Sequence, residues 1–138
     1  SETSQWKPIG TYTGDTDNNP FAGIFDGNGH TIKGLYINDV TADNVGLFGY
    51  NTGTIKNLTV EGQVTGHDYV GGIAGRNEGE IIGCTSRVTV TGNSNVGGIT
   101  GSNGENASIS ESTNAGDVTG TDNTGGIAGS NEGRRRAI

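Results

Sequence analysis

The sequence predicts an all-β chain wound as a parallel β-helix, a β-solenoid of about five turns, and three observations lead there. A phrase recurs: "YVGGIAGRNEGEI" at 69–81 returns as "NVGGITGSNGENA" and "NTGGIAGSNEGRR", and in thinner form as "AGIFDGNGHTI" and "NVGLFGYNTGTI". Between the phrases, short runs alternate β-branched with polar residues, as in Val88-Thr89-Val90-Thr91, which is a strand pattern of period two. The composition is poor for helix: 27 of 138 residues are Gly, and the polar residues are mostly Thr, Asn, Ser and Asp, which favour strands, turns and caps. With two Pro and no Gly at every third position, a collagen-like helix is excluded as well.

Written in register, the units give columns. Ile24, Leu47, Ile73, Ile99 and Ile127 stand 23, 26, 26 and 28 residues apart. The preceding glycines are Gly23, Gly46, Gly72, Gly98 and Gly126, and four residues after each aliphatic come Asn28, Asn51, Asn77, Asn103 and Asn131. Further columns read Ile32, Ile55, Ile81, Ile109, then Leu35, Leu58, Cys84, Ser112, then Val64, Val90, Val118. A unit of this length cannot bury its inner face alone, but it can when each winding lies on the previous one. Residues one unit apart then stack about 4.8 Å apart. The aliphatic column becomes a continuous interior row, and the glycines allow corners and close backbone approach. Asparagine carries both an acceptor and donors, so the Asn column is expected to form a hydrogen-bonded ladder.

Residues 1–20 precede the first unit and are expected to form an irregular first turn or cap, with Trp6 over or beside the top of the column. Residues 21–133 carry the repeats. At 134–138 the Arg134-Arg135-Arg136 run stands where the 69–81 unit continues into Glu80-Ile81-Ile82, so either charge guards the last edge or the pattern is cut there.

Net charge is −7, and residues 1–133 hold five basic against fifteen acidic groups, which argues against nucleic acid as a partner. No stretch approaches the roughly 18 apolar residues of a membrane span, and no secretory leader precedes Ser1, so a mature or excised piece is expected. The single cysteine, Cys84, permits no internal disulfide; its column makes it a small buried side chain.

The stretches "FAGIFDGNGHTIKGLYI", "VGLFGYNTGTIKNLTVEG" and "YVGGIAGRNEGEIIGCTSRVTVTG" resemble the GLUG repeat family of bacterial surface proteins. The resemblance runs from about Trp6 to Gly133. It implies a right-handed β-helical segment of large secreted or wall-attached proteins, including adhesins and the non-catalytic region of immunoglobulin-cleaving metalloproteases. It transfers no catalytic residue, and no enzyme activity or cofactor is expected.

Candidate sites remain to be weighed. Asp15, Asp17 and Asn18, with Asn19, cluster oxygen ligands that could wrap calcium, although the downstream bidentate Glu of a full loop is missing; the alternative is an Asx-rich surface turn. Nothing has zinc-site spacing, since His30 and His67 stand alone in the sequence, and apart from the calcium candidate no metal site is expected. Asp68 and Asp122 share a column with Ser94 between them, about 9.6 Å apart, slightly beyond the separation of about 6.5 to 9.5 Å used by inverting glycosidases. Asp39 and Asp43 read as loop neighbours. The rows Thr59, Thr85, Thr113 and Thr65, Thr91, Thr119 offer regular hydroxyls that an ice-binding face would need, or simply exposed β-propensity. "NLT" at 57–59 and "NAS" at 106–108 match glycosylation acceptors.

The sequence therefore points to a non-enzymatic structural or adhesive module of a bacterial cell-surface or secreted protein, a rigid spacer or binding stalk whose partner would be a host or matrix glycan or protein. The principal alternative is a subunit that self-associates end to end into filaments. An ice-binding surface and a polysaccharide-processing β-helix are lesser ones.

Overall fold

A computed structural model describes residues 5–14 and 18–133. Short extended runs flanked by Gly, Asn and Asp become strands separated by corners. The first winding holds β1 (Ile24–Asp26) and β2 (Thr31–Asn38). The second holds β3 (Phe48–Asn51), β4 (Thr54–Lys56) and β5 (Thr59–Thr65). The third holds β6 (Asp68–Gly71), β7 (Ala74–Asn77), β8 (Glu80–Ile82) and β9 (Thr85–Thr91). The fourth holds β10 (Ser94–Gly97), β11 (Thr100–Asn103), β12 (Ser108–Ser110), β13 (Thr113–Asn114) and β14 (Val118–Thr119). β15 (Asp122–Gly125) and β16 (Ala128–Asn131) begin a further one. No described residue is helical.

Every strand pairs in parallel with its counterpart one winding away, in the orders β1-β4-β8-β12, β6-β10-β15, β3-β7-β11-β16 and β2-β5-β9-β13, with β14 also on β9. This is a β-solenoid about four windings deep, close to the expected five. Its interior is a stack of like side chains. Ile55, Ile81 and Ile109 are in direct register, as are Val64, Val90 and Val118, headed by Ile37. Leu47, Ile73, Ile99, Val60, Val88 and Val96 complete a core from which water is almost fully excluded. Low overall hydrophobicity suffices because stacking concentrates the apolar residues on one inward row per face.

The first winding corrects the sequence register. Ile24 pairs with Thr54, not with the Leu47 column, and is 71% exposed. Phe25 takes the place above Ile55 that was expected of Ile32, while Ile32 lies over Val60 and Leu35 over Gly62. Phe21 stands over Asn51 and Ile9 over Phe48. The reason is aromatic packing: the rings of Phe21 and Phe25 lie 5.1 and 5.6 Å from that of Phe48, burying more apolar surface than Ile24 would. The Asp26–Thr31 connection absorbs the difference in length through a turn with Asn28 at φ 53° and Gly29 at φ 80°.

Residues ahead of this winding lie along its open edges. The Trp6 backbone N–H donates to Tyr36 O (2.8 Å), its indole N–H donates to Leu47 O (2.9 Å), and Asn38 N–H donates to the Gln5 side chain (2.8 Å). These bonds set Gln5 and Trp6 against the edge of β2, while Ile24 of β1 stays exposed. At the other end, Ile127 is 38% exposed. Arg134, Arg135 and Arg136 lie outside the described residues.

One core position departs from the pattern. Ser86 follows Val60 in its column, is fully buried, and its Oγ has no hydrogen-bond partner among the described residues. Ser86→Ala is expected to raise stability by about 1 kcal/mol, because it removes an unsatisfied hydroxyl. Urea denaturation checks this, and a lower midpoint would mean that the hydroxyl is satisfied.

Candidate functional site

The asparagine column forms a ladder inside the coil. Asn51 Nδ2 donates to Asn77 Oδ1 (2.8 Å), Asn77 Nδ2 to Asn103 Oδ1 (2.9 Å), and Asn103 Nδ2 to Asn131 Oδ1 (2.9 Å). Asn51, Asn77 and Asn131 are also tied to their own corners: Gly53 N–H donates to Asn51 Oδ1 (3.0 Å), Gly79 N–H to Asn77 Oδ1 (3.2 Å) and Gly133 N–H to Asn131 Oδ1 (3.1 Å). Asn51 and Asn77 are fully buried, so these bonds form where water cannot compete. Asn28 is not part of the ladder. It is an exposed turn residue whose N–H is capped by Asp26 Oδ1 (2.9 Å), because the register of the first winding places Phe21 above Asn51 instead.

The other sequence candidates fall as follows. Asp15 and Asp17 lie outside the described residues. The Asn18 side chain closes a turn, accepting from Thr13 N–H (2.7 Å) and donating to Gly14 O (2.8 Å). The threonine rows are in register, and Thr31 extends the first to Thr31, Thr59, Thr85 and Thr113. Between the rows, however, Glu61 stands opposite Arg87, and the sheet bends at a bulge between Ile32 and Leu35, so the hydroxyl lattice is broken by charge and curvature. Cys84 is buried with its thiol turned to Ile55 O and Ile82 O, and burial pushes its pKa up, which makes it an unreactive core side chain. His30 lies in the turn between β1 and β2 and is exposed. Asp39 holds the following turn: hydrogen bonds from the Thr41 hydroxyl and N–H hold its carboxyl below the usual carboxylate range.

Two arrangements escaped sequence reasoning. Asp68, Ser94 and Asp122 do share a column, yet the closer partner of Asp68 is Asp43. The Val45–Val70 bridge stacks the two loops, and Asp68 N–H donates to Asp43 Oδ1 (3.0 Å). His67 Nδ1 sits 3.0 Å from Asp43 Oδ1 and 3.5 Å from Asp68 Oδ2. Beside this group, Arg76 is held between two tyrosine faces, its Cζ 3.9 Å from the Tyr12 ring centroid and 3.7 Å from that of Tyr69. Arg76 Nε donates to Asn44 Oδ1 (2.8 Å), and Asn44 Nδ2 donates to Tyr12 O (3.2 Å). A cavity of about 420 Å³ opens between the two groups.

The available signal was departure from the columns. Tyr69 adopts φ 61° where Asn44, Asn95 and Asn123 take the same left-handed conformation. An aromatic residue is strained there, and its contact with the Arg76 guanidinium offsets that strain. Arg76 in turn occupies a column with Tyr50, Ser102 and Ser130. The two odd residues of one repeat touch each other and, through Tyr12, hold the N-terminal segment on the column. Arg76→Ala is expected to cost about 1 to 2 kcal/mol and to speed chymotryptic cleavage after Tyr12, whose ring Arg76 holds. An unchanged cleavage rate would show that the segment is held by its backbone bonds alone.

Comparison with protein families matches residues 66–91 to the GLUG motif. Halomucin of Haloquadratum walsbyi is similar to this chain, with 38% identity over 102 residues, covering 53% of this chain and 1% of halomucin. The chain thus spans about one hundredth of the length of that curated relative. No solved structure matches it. The matched residues run from Gly66 at the corner after β5 to Thr91 at the end of β9, one full winding that carries Tyr69, Arg76 and the ladder's Asn77, so this chain carries a GLUG motif as one coil of its solenoid.

Proposed function

We propose that this chain is a non-enzymatic structural module of a surface or secreted protein, serving as a rigid spacer or binding stalk. The observation that carries this reading is the unbroken internal ladder from Asn51 to Asn131 running beside a continuous aliphatic core. From the second winding onward each is bonded to the next by backbone pairs and by a side-chain amide inside, so bending the column breaks several bonds at once. The GLUG winding and the similarity to a relative of far greater length support a role as one stretch of an extended repeat array. No helix among the described residues is long and apolar enough to cross a membrane. The acidic surface keeps such a column hydrated and apart from like surfaces.

The reading is tested by inserting one and two further copies of residues 66–91 after Thr91 and measuring the maximum dimension by small-angle scattering. A stiff stalk lengthens by about 4.8 Å per added winding. A constant dimension, or a broadened distribution, would sink it. Antibody labelling of intact cells that make the parent protein tests the surface location. Adhesion is addressed by binding to glycan and matrix-protein arrays. End-to-end growth would have to displace Gln5 and Trp6 from the edge of β2, which opposes it. Sedimentation velocity should accordingly show a monomer at low and high concentration.

A further inference from the structure

We propose that Asp43, His67 and Asp68 form a binding site for a divalent transition-metal ion of the zinc class. The site is independent of the stalk reading and uses no residue of the ladder.

The backbone sets the three side chains in place. Asn44 N–H donates to Asp68 O (2.9 Å), His67 N–H donates to Ala42 O (2.7 Å), and the Val45–Val70 bridge continues the pairing, so one loop lies directly on the other. The ligand atoms of the three residues all lie within 4.8 Å of one another. His67 Nδ1 is 3.0 and 3.5 Å from the two carboxylates. Ligand atoms bound at about 2.0 to 2.2 Å from one ion stand roughly 2.9 to 3.5 Å apart, so an ion fits with small side-chain rotations.

The chemistry favours a cation over a proton. Nδ1 carries at most one N–H, yet it faces two carboxylate oxygens, and a single hydrogen serves only one of them well. A metal ion in its place engages the nitrogen and both oxygens together. One imidazole with two carboxylates suits zinc and its neighbours, whereas calcium and magnesium take oxygen ligands alone. Supporting bonds already orient the carboxylates: Asn93 Nδ2 donates to Asp68 Oδ1 (3.1 Å), leaving Oδ2 toward His67, and Asp68 N–H fixes Asp43 Oδ1. His67 also departs from its column. β6 and β10 pair Asp68 with Ser94, and β10 and β15 pair Ser94 with Asp122, so the later windings place Asn93 and Thr121 where His67 stands. Stacking alone does not call for an imidazole there. The cavity beside Asp43 and Asp68 leaves open coordination positions for water or a ligand carboxylate next to Arg76.

The test is titration of Zn²⁺ into the untagged chain, followed by calorimetry and by imidazole ¹⁵N NMR, where the two histidines give separate signals. Binding at one ion per chain is expected, with the His67 resonances shifting and those of His30 still. His67→Ala, and separately Asp43→Asn, should weaken binding by at least about tenfold, while His30→Ala and Cys84→Ser bind as the parent does and Ca²⁺ does not compete. Thermal melts without metal establish that the variants fold. The proposal is overturned if Zn²⁺ leaves His67 unmoved in the parent chain, if His30 responds equally, or if binding survives His67→Ala or is lost on Cys84→Ser alone.

Discussion

Replacing Asn77 by leucine is expected to destabilise the column by about 4 kcal/mol, a large share of the roughly 5 to 15 kcal/mol by which a domain is stable. Three buried groups lose a bond at once: Asn51 Nδ2, which keeps only Gly53 O, Asn103 Oδ1 and Gly79 N–H. Each is costly because the surrounding windings exclude water, and leucine offers neither a donor nor an acceptor in return. The same change at Asn131, which ends the ladder and is exposed, should cost about 1 kcal/mol or less, since water replaces the lost bonds. Urea midpoints of the two variants provide the check. Equal losses at both positions would mean that side-chain amides contribute little and that the backbone pairs alone hold the windings.

Gly79→Ala should cost about 3 kcal/mol for a different reason, overpacking against main chain that cannot rotate away. A β-carbon there would stand 2.1 Å from Gly53 O and 2.6 Å from the Thr52 carbonyl carbon in the winding above. That same Gly53 oxygen accepts the Glu80 N–H at 2.8 Å, so relieving the clash breaks a rung. Gly29 provides the contrast. Its φ of 80° disfavours alanine, but nothing lies within 4 Å of the added carbon, and Gly29→Ala should cost only about 1 kcal/mol. Thermal melts of the pair separate close approach from conformational freedom, and a loss at Gly79 no larger than at Gly29 would show that neighbouring windings can part.

The columns from the second winding onward were legible because stacking is a nearest-neighbour interaction. Ile55, Ile81 and Ile109 occupy equal environments one rung apart, so equal residue types recur at the repeat spacing, and the amides of Asn51 to Asn131 follow the same rule. At the first winding that rule fails. Nothing regular lies above it, so burial of Phe21 and Phe25 against Phe48 outweighs the likeness of "AGIFDGN" to the later phrases, and Ile24 and Asn28 are left outside the columns they resemble.

The group at Asp43, His67 and Asp68 was invisible for a related reason. Asp43 precedes Asn44-Val45-Gly46 as Asp68 precedes Tyr69-Val70-Gly71, but counting from the Leu47–Ile73 column sets Asp43 against Tyr69, and only the Val45–Val70 bridge shows that it stacks on Asp68 beside His67. The sequence by itself determined an all-β coil, its inward rows and its internal ladder, since alternation selects which side chains point in and repetition selects what lies on what. The tertiary structure alone decided the start of the register and the meetings of residues outside the repeat, because these depend on where each winding closes in space and on which rings can cover its end.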